Sequence, residues 1–535
     1  LAELKHRIKE AHGSSLKYIV WAGMGGSAED KAMYQAVGLL KKGPKLFLLD
    51  STDPAKLKFI LQSLEKKGSL AEALKSTLVV GMAMGMTSYE PVVNLQMISA
   101  LYEKLGIDSR PNIIYMTLPN SLLDQFGRKQ GYRKVELQLD NGNSTAGRHS
   151  GPLTRGSLYP LGLAGVDLES WIDATLLGDE QIDLALRLAS FLHQQASEKR
   201  DKVTLLLPKA WAGAGVWTKQ NFEESLGKSA DFGLKIVIGE RIKLANYRSP
   251  RDPQQDRCFV AVQAKGLVSG ESAKVAALRR AGYPVSVITF KDDSLSQYMQ
   301  FMHYVVFGVG YLQKMNFVTQ PSVELYKAVT SNIFNQACER GSIEQSDAWQ
   351  ALMAGKRYRH KSGVTLHCHN LPAELLPPDG DAASAYAHIL KTLVHSGQIG
   401  YGELTFFGDT RYNPRGKAIR KVLDRAGDRV FRAAMKMPVD VYEGPAMNHS
   451  YHEMIIGHGH CFSTVLLSEK SEKLSQLNYP PDYHRAQFLA TQIALAQRRR
   501  HVVALVLKDL EESTQDALDS FFHEVAGKLR TRNVR

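Results

Sequence analysis

The sequence predicts an α/β protein with two doubly wound parallel-sheet lobes and a C-terminal α/β domain. Strand-sized apolar runs alternate with helical stretches over residues 17–117 and again over 203–313. Such alternation is typical of parallel sheets, because each parallel strand needs a crossover helix. The chain has 535 residues, too many for one hydrophobic core, so two or three domains are expected.

The first lobe is predicted within residues 1–150. Asp53 followed by Pro54 marks one helix start, with Asp at the cap and Pro in the first turn. The expected strands lie at 18–21, 45–49, 78–82 and 112–116, and the expected helices at 28–40, from 54, and at 89–105.

The remaining chain is predicted as a second lobe, residues 151–330, and a C-terminal domain, residues 331–535. A polar, glycine-rich stretch at 140–155 lies where the first lobe passes to the second. In the second lobe, strands are expected at 203–207, 258–262 and 285–289, and helices at 215–226, 271–281 and 294–313. In the C-terminal domain, strands are expected at 364–369, 403–407, 462–467 and 502–507, and helices at 384–395, 415–425 and 484–498.

The amino-acid composition limits the kinds of partner that the protein is expected to bind. Lys and Arg number 67 against 54 Asp and Glu, a net charge of +13 that favours anionic partners. The basic residues are dispersed, and the densest run, 498–501, is typical of a solvated helix end, so a small phosphorylated substrate is favoured over nucleic acid. No apolar run reaches the roughly 18 residues of a membrane helix. The four cysteines show no paired spacing, which predicts reduced thiols and a cytoplasmic location.

A glycine turn after the first strand is the first candidate binding element. Gly25, Gly26 and Ser27 stand in the segment Gly-Met-Gly-Gly-Ser at 23–27, between an apolar strand and a helix. Such a turn lets backbone N–H groups and a helix N-terminus meet an oxyanion, and Ser27 adds a hydroxyl donor. The segment has neither the spacing of a dinucleotide fingerprint nor the lysine of a nucleotide P-loop. A phosphate site and a simple packing turn therefore both stay open.

A second turn follows the third strand, at 81–88. Its hydroxyl residues Thr87 and Ser88 stand at the start of the next predicted helix. Their simplest explanation is N-capping, which is common for these residue types. A capped helix N-terminus is also a place where an anion docks, so a shared role stays open.

Five motifs in a fixed order resemble the phosphoglucose isomerase family, which is built from two sugar-isomerase (SIS) domains. The resemblance covers roughly residues 15–528 and is nearest to the isomerase part of fused transaldolase/glucose-6-phosphate isomerase proteins. Gly444-Pro445 and the later His449-Ser450 resemble a segment of their extra C-terminal domain. The motifs are Gly-Met-Gly-Gly-Ser at 23–27, Thr-Ser-Tyr-Glu at 87–90, Gly-Arg-His-Ser at 147–150, Glu-Ser-Leu-Gly-Lys at 224–228 and Gln-Pro-Ser-Val-Glu-Leu-Tyr-Lys at 320–327.

The resemblance implies a role for each candidate catalytic residue. Glu224 would carry the proton between C1 and C2, which needs hydrogen-bond reach to the carbon acid. Glu223 is its neighbour, and only one of the two can face the site. Arg148 would stabilise the enediolate oxygen, and Lys327 would assist opening of the sugar ring.

A ring-opening histidine is also implied, but the family's Gly-Gln-His segment is not present between the glutamate and lysine motifs. His449 and His452 are candidates through the C-terminal resemblance, whereas His303 lies in an apolar helix and is predicted to be a core residue.

The predicted activity is therefore isomerisation of glucose 6-phosphate and fructose 6-phosphate through an enediolate. No redox cofactor or metal is expected, because the hydrogen moves as a proton within one substrate. The segments 367–369 and 458–460 contain paired histidines without an established metal-ligand spacing. The resemblance also makes a homodimer an option.

One departure from the family keeps an alternative open. Ala83-Met84-Gly85 stands where the family has Ser-Lys followed by Ser or Thr, so a cation and two hydroxyls are replaced. A charge-assisted hydrogen bond contributes roughly 1.5–3 kcal/mol, so phosphate affinity should be about tenfold or more weaker. The alternatives are a catalytically silent sugar-phosphate-binding protein and an isomerase of a different sugar phosphate.

Overall fold

The computed structural model describes most of the chain. The described residues are 1–66, 68–140, 149, 151–267, 272–446, 448–470, 472–474, 477 and 480–530, with the side chains of 272, 448–451 and 481 left out.

The first lobe is a parallel sheet with strand order β2-β1-β3-β4-β5. The strands are β1 (Tyr18–Ala22), β2 (Lys45–Leu49), β3 (Thr77–Ala83), β4 (Ile113–Thr117) and β5 (Arg133–Lys134). The helices are α1 (Ala2–His12), α2 (Glu29–Ala36), α3 (Pro54–Glu65), α4 (Leu70–Lys75), α5 (Glu90–Lys104) and α6 (Leu122–Gln130). The predicted doubly wound plan is confirmed, although α2 ends at Ala36 rather than at Leu40, and neither α4 nor β5 was predicted.

Strand order fixes where a ligand can bind in this lobe. The chain leaves β1, forms β2 on one side, and returns to form β3 on the other, so the order reverses between β1 and β3. In open parallel sheets the crevice at the carboxyl ends of the strands flanking such a reversal is the usual ligand site. Both turns predicted as binding elements, 23–27 and 81–88, lie at the carboxyl ends of these two strands, although residues 81–83 still belong to β3.

The second lobe repeats the plan with strand order β7-β6-β8-β9, again all parallel. The strands are β6 (Lys202–Leu206), β7 (Lys235–Val237), β8 (Arg257–Ala264) and β9 (Val285–Phe290). The helices are α7 (Arg155–Leu163), α8 (Leu168–Asp173), α9 (Asp179–Ser197), α10 (Ala214–Leu226), α11 (Ser272–Ala281), α12 (Leu295–Leu312) and α13 (Pro321–Arg340). Helix α13 runs across residue 330, and the lobe boundaries at 150 and 330 stay predictions.

The C-terminal region forms a mixed sheet with strand order β10-β11-β15-β14-β12-β13. Strands β10 and β11 add to the edge in antiparallel fashion, whereas β15, β14, β12 and β13 are parallel. The strands are β10 (Arg357–Arg359), β11 (Thr365–His367), β12 (Tyr401–Phe407), β13 (Val439–Gly444), β14 (Cys461–Ser468) and β15 (His501–Leu507). The helices are α14 (Asp347–Ala354), α15 (Ala382–His395), α16 (Pro414–Ala426), α17 (Asn448–Gly457), α18 (Pro481–Gln497) and α19 (Glu512–Arg530).

Edge strand β13 joins the C-terminal domain to both lobes through buried ion pairs. Asp440 lies 2.7 Å from Lys219 Nζ of the second lobe. Glu443 pairs with Lys56 of the first lobe, which also pairs with Asp50. The lysine side chains at these contacts are at most 1% exposed, so each pair is held inside the protein rather than at its surface.

Within the described part of the chain, every helix is either too short or too polar to cross a lipid bilayer.

Candidate active site

The glycine turn after β1 requires glycine at two positions. Gly25 has φ of 53°, in the left-handed region that glycine adopts without strain. A Cβ at Gly23 would lie 3.0 Å from the Cβ of Ser27 and 3.3 Å from the carbonyl oxygen of Met82 at the end of β3. The turn therefore lies directly against β3, at the reversal of strand order. Ser27 is 4% exposed and Gly26 half-buried.

The second turn lies against helix α13. The hydroxyl of Thr87 is 3.4 Å from Glu324 Oε2, and a Cβ built at Gly85 would lie 3.4 Å from Lys327 Nζ. The cap residue of α5 is Tyr89, and it makes no side-chain cap bond. N-capping by Thr87 and Ser88 is therefore wrong, because Tyr89 is at the cap position and the helix begins at Glu90.

Glu224 is buried on α10 and is held by amides. Its side chain is 1% exposed, Gln220 Nε2 donates to Oε2 at 3.0 Å, and Gln320 Nε2 donates to Oε1. Gln320 is the N-cap residue of α13. These two contacts therefore orient the carboxylate with neutral donors.

Glu223 points to another face of α10, as expected for a helix neighbour. It accepts a hydrogen bond from the backbone N–H of Ile236 at 3.0 Å and pairs with Lys219 and Lys235. It belongs to the interface with the C-terminal domain and not to the candidate site.

Lys327 lies two turns along α13 from Gln320. Its side chain is 10% exposed and its Nζ lies 3.0 Å from Glu324 Oε1. Seven residues of helix rise about 10 Å. One helix thus contacts Glu224 at its start and the second turn at Lys327.

The histidines of the site are only partly described. Arg148 and the side chain of His449 lie outside the described residues. His452 is fully buried, stacks on Tyr326 with ring centroids 4.0 Å apart, and lies 3.1 Å from Thr491 Oγ1. It therefore contacts α13 through Tyr326.

His149, the neighbour of Arg148 in the chain, contacts α10. Its ring nitrogens lie 3.3 Å from Ser225 Oγ and 3.4 Å from Asn221 Nδ2. Ser225 follows Glu224 directly, so His149 contacts the helix that carries the predicted base. His303 is 4% exposed and stacks on Trp217, which confirms its prediction as a core residue.

The paired histidines do not assemble a metal centre among the residues that the structure describes, where no group of three or more metal-binding side chains meets. His458 instead bridges Asp201 Oδ2 at 2.9 Å and the carbonyl of Ser229 at 3.1 Å. Burial lowers the pKa of His369 and of His460 to about 4, so both are neutral near pH 7.

Sequence reasoning missed Gln220, Gln320 and Glu453. Gln220 stands four residues before Glu224, a spacing that puts both on one helix face and was available as a signal. Gln320 is the first residue of the motif at 320–327, which the sequence analysis had already identified. Glu453 on α17 gave no signal, because its contacts are with residues more than a hundred positions away.

Comparison with known proteins finds matches named glucose-6-phosphate isomerase, two of them from Prochlorococcus marinus strains MIT 9313 and SARG. The chain is 28% identical over 244 residues to glucose-6-phosphate isomerase of Prochlorococcus marinus strain MIT 9313, covering 43% of this chain and 42% of that protein. It is 28% identical over 374 residues to the enzyme of the same name from a second Prochlorococcus marinus strain, SARG, covering 63% of this chain and 68% of that protein.

This chain is similar in sequence to proteins named glucose-6-phosphate isomerase. The resemblance inferred from the motifs is thereby confirmed, whereas the nearer likeness to fused transaldolase proteins stays a prediction. No protein-family model matches the chain. The matched segments span between 42% and 68% of these two relatives.

A solved structure supports the fold. A hypothetical protein of Thermus thermophilus superimposes with a TM-score of 0.51 at 21% identity, covering 62% of this chain and 86% of that chain. The α/β plan with two parallel-sheet lobes and a further α/β domain is confirmed by the strand orders of the three sheets.

Proposed function

We propose that the protein is an aldose–ketose isomerase that interconverts glucose 6-phosphate and fructose 6-phosphate. The observation that carries this proposal is the placement of Glu224. A buried carboxylate oriented by two amides lies at the start of α13, and the turn that follows β3 lies against the same helix two turns further on. The kinship to glucose-6-phosphate isomerases supports the same reaction.

The chemistry follows from the groups available. The carboxylate of Glu224 removes the proton from C2 of the open-chain aldose and returns it to C1, so hydrogen moves without any change of redox state. A base of this kind contributes roughly 10²–10⁴ in rate when it reaches the carbon acid. Arg148 stabilises the negative charge that develops on the enediolate oxygen.

The phosphate is held at the strand-order reversal. Backbone N–H groups of the turn at Gly25–Ser27 and the hydroxyls of Ser27, Thr87 and Ser88 supply donors. Lys327, close to Gly85, supplies the cation that the turn 83–85 lacks. Lys327 and His449 are also the residues proposed to assist ring opening.

A second candidate function rests on the contact between Lys327 and Glu324. A lysine 3.0 Å from a carboxylate, beside a turn without its own cation, offers a weaker phosphate site. This favours a different sugar phosphate, or a protein that binds one without catalysis.

The deciding experiment follows fructose 6-phosphate in deuterated water by NMR. The proposal predicts glucose 6-phosphate that carries deuterium at C2, and loss of this signal in Glu224→Gln. Binding without product or exchange would instead favour the silent binder, and absence of both would favour another sugar phosphate.

A matched control is Glu180→Gln, which changes an exposed carboxylate of α9 that pairs with Lys291. It should leave exchange at the wild-type rate. Equal exchange in wild type and Glu224→Gln would contradict the assignment of the base, whatever the substrate.

A further inference from the structure

Glu453 of the C-terminal domain lies at the start of the helix that orients Glu224. Its Oε1 accepts hydrogen bonds from the backbone N–H groups of Ser322 at 2.8 Å and of Val323 at 3.0 Å. These are first-turn donors of α13, and the N-cap residue of the same helix is Gln320, which holds Glu224. Glu453 and Glu224 belong to different domains. Both carboxyl groups are therefore held by residues at the N-terminus of α13.

The second oxygen of Glu453 is in an unusual position. Among the described residues, Oε2 is buried and has no hydrogen-bond partner. A buried carboxylate oxygen without a donor is costly in the charged form, and a proton on that oxygen relieves the cost. The two backbone donors to Oε1 act in the opposite direction, because they favour the ionised form.

Charged neighbours come from the elements packed on α17. From α10 and the residues just after it, Glu224 opposes ionisation of Glu453 and Lys228 favours it. From α13, the titratable groups nearest in sequence to the two donors are Glu324, Tyr326 and Lys327.

The other elements packed on α17 bring few titratable groups. The turn Gly25–Ser27 has none, and on α17 itself His452 faces Tyr326. Helix α18 contacts α17 through Thr491, and its titratable residues, Asp482, Tyr483, His484 and Arg485, are all in its first turn.

We propose that Glu453 is a positioning residue for the predicted base: it fixes the N-terminus of α13 and, by gaining or losing a proton beside Glu224, sets the pH range in which Glu224 accepts one. This inference rests on the proposed function for its kinetic part, while the coupling between the two carboxyl groups does not. Burial raises the pKa of Glu453 to about 7, and the nearby Glu224 carboxylate contributes to the rise. The charge beside Glu224 therefore changes near neutral pH.

The first test reads the coupling without any substrate. Carbon-13 NMR of protein labelled at glutamate carboxyl groups should show one resonance that titrates near pH 7 and is absent in Glu453→Gln. In Glu224→Gln the same resonance should titrate about half a pH unit or more lower, because a like charge has been removed. An unchanged titration in Glu224→Gln would overturn the proposal.

The second test uses the pH profile of C2 proton exchange. Glu453→Gln keeps the size of the side chain and an oxygen for the two backbone donors, but removes the charge. The acidic limb of the profile should lose its step near pH 7, and so begin at lower pH, and should report one ionisation rather than two coupled ones. A uniform loss of rate at every pH, with an unmoved limb, would show a merely structural role and overturn the proposal.

Two further variants separate folding from function. Glu453→Asp retains the charge and should retain a two-ionisation profile. Asp381→Asn changes a helix-capping carboxylate of α15, which accepts from Ser384 N at 2.7 Å, and should leave the profile unmoved. If no sugar phosphate is isomerised, the proposed function fails while the NMR titration still decides the coupling.

Discussion

Two neighbouring carboxylates on α10 are buried in opposite ways. Glu223, on the face toward the C-terminal domain, is surrounded by Lys219 and Lys235, which also contact Asp440. Glu224, on the face toward the start of α13, is held by the amides of Gln220 and Gln320.

We expect the difference to separate a structural carboxylate from the proposed base. Lysine partners balance the charge of Glu223 and hold it inside the domain interface. Amide donors orient Glu224, which suits the proton transfer proposed for this carboxylate. The same Glu→Gln substitution should therefore have different effects at positions 223 and 224.

The largest expected effect is on catalysis at Glu224. Glu224→Gln should lower the rate of isomerisation by about 10²–10⁴, because the base is lost, while the unfolding midpoint in urea changes little. Steady-state kinetics and urea denaturation on one preparation check both parts. A stability loss as large as that of Glu223→Gln would contradict the distinction.

The interface should respond in stability instead. Lys235→Met removes the cation that contacts Glu223, Glu403 and Asp440, and leaves buried carboxylates without compensation. Loss of one partner in a buried ion pair costs about 3–5 kcal/mol, which urea unfolding measures. The exposed lysine in Lys291→Met is the control and should leave the midpoint in place.

An intermediate effect is expected where amide donation to Glu224 is removed. Gln320→Leu deletes one donor to the carboxylate, and a hydrogen bond to a charged group contributes roughly 1.5–3 kcal/mol. The rate of C2 proton exchange should fall about tenfold or more. Gln194→Leu is the matched control, since Gln194 donates to Glu198 at 3.1 Å on the exposed face of α9. Equal rates for the two variants would remove Gln320 from the site.

The smallest effect is a pH dependence of stability at the interface. Burial raises the pKa of Glu403 from its ordinary value of 4.5 to about 8. The folded protein thus holds a proton that the unfolded chain releases, so the contribution of this group to stability falls as pH rises from about 4.5 through about 8. Glu403→Gln should flatten the decline in melting temperature over this range. Parallel curves for variant and wild type would contradict the assignment.

Local patterns were enough to predict the two lobes and the helix that carries Glu224. These patterns extend over only a few residues. Examples are the glycine turn between an apolar strand and a helix, and Asp53 before Pro54. Asp53 indeed accepts from the N–H of Ala55 at 3.0 Å. Strand β13 was not predicted, because Asp440 and Glu443 make its sequence look exposed.

Contacts between distant segments could not be predicted. The bond from Gln320 to Glu224 joins residues 96 positions apart, and the contact of Glu453 with Ser322 joins residues 131 apart. The burial of β13 likewise depends on lysines from the two lobes, Lys56 and Lys219. These pairings arise from the packing of whole elements, which no short window of sequence contains.

Strand β13 has a mechanical consequence. Asp440 and Glu443 are three residues apart, about 10 Å along a strand, and each is anchored to a different lobe. The strand therefore restricts changes in the separation of the two lobes. A hinge motion of one lobe against the other would have to break a buried ion pair, so we expect substrate to enter through local movement of the turns and side chains around the candidate site.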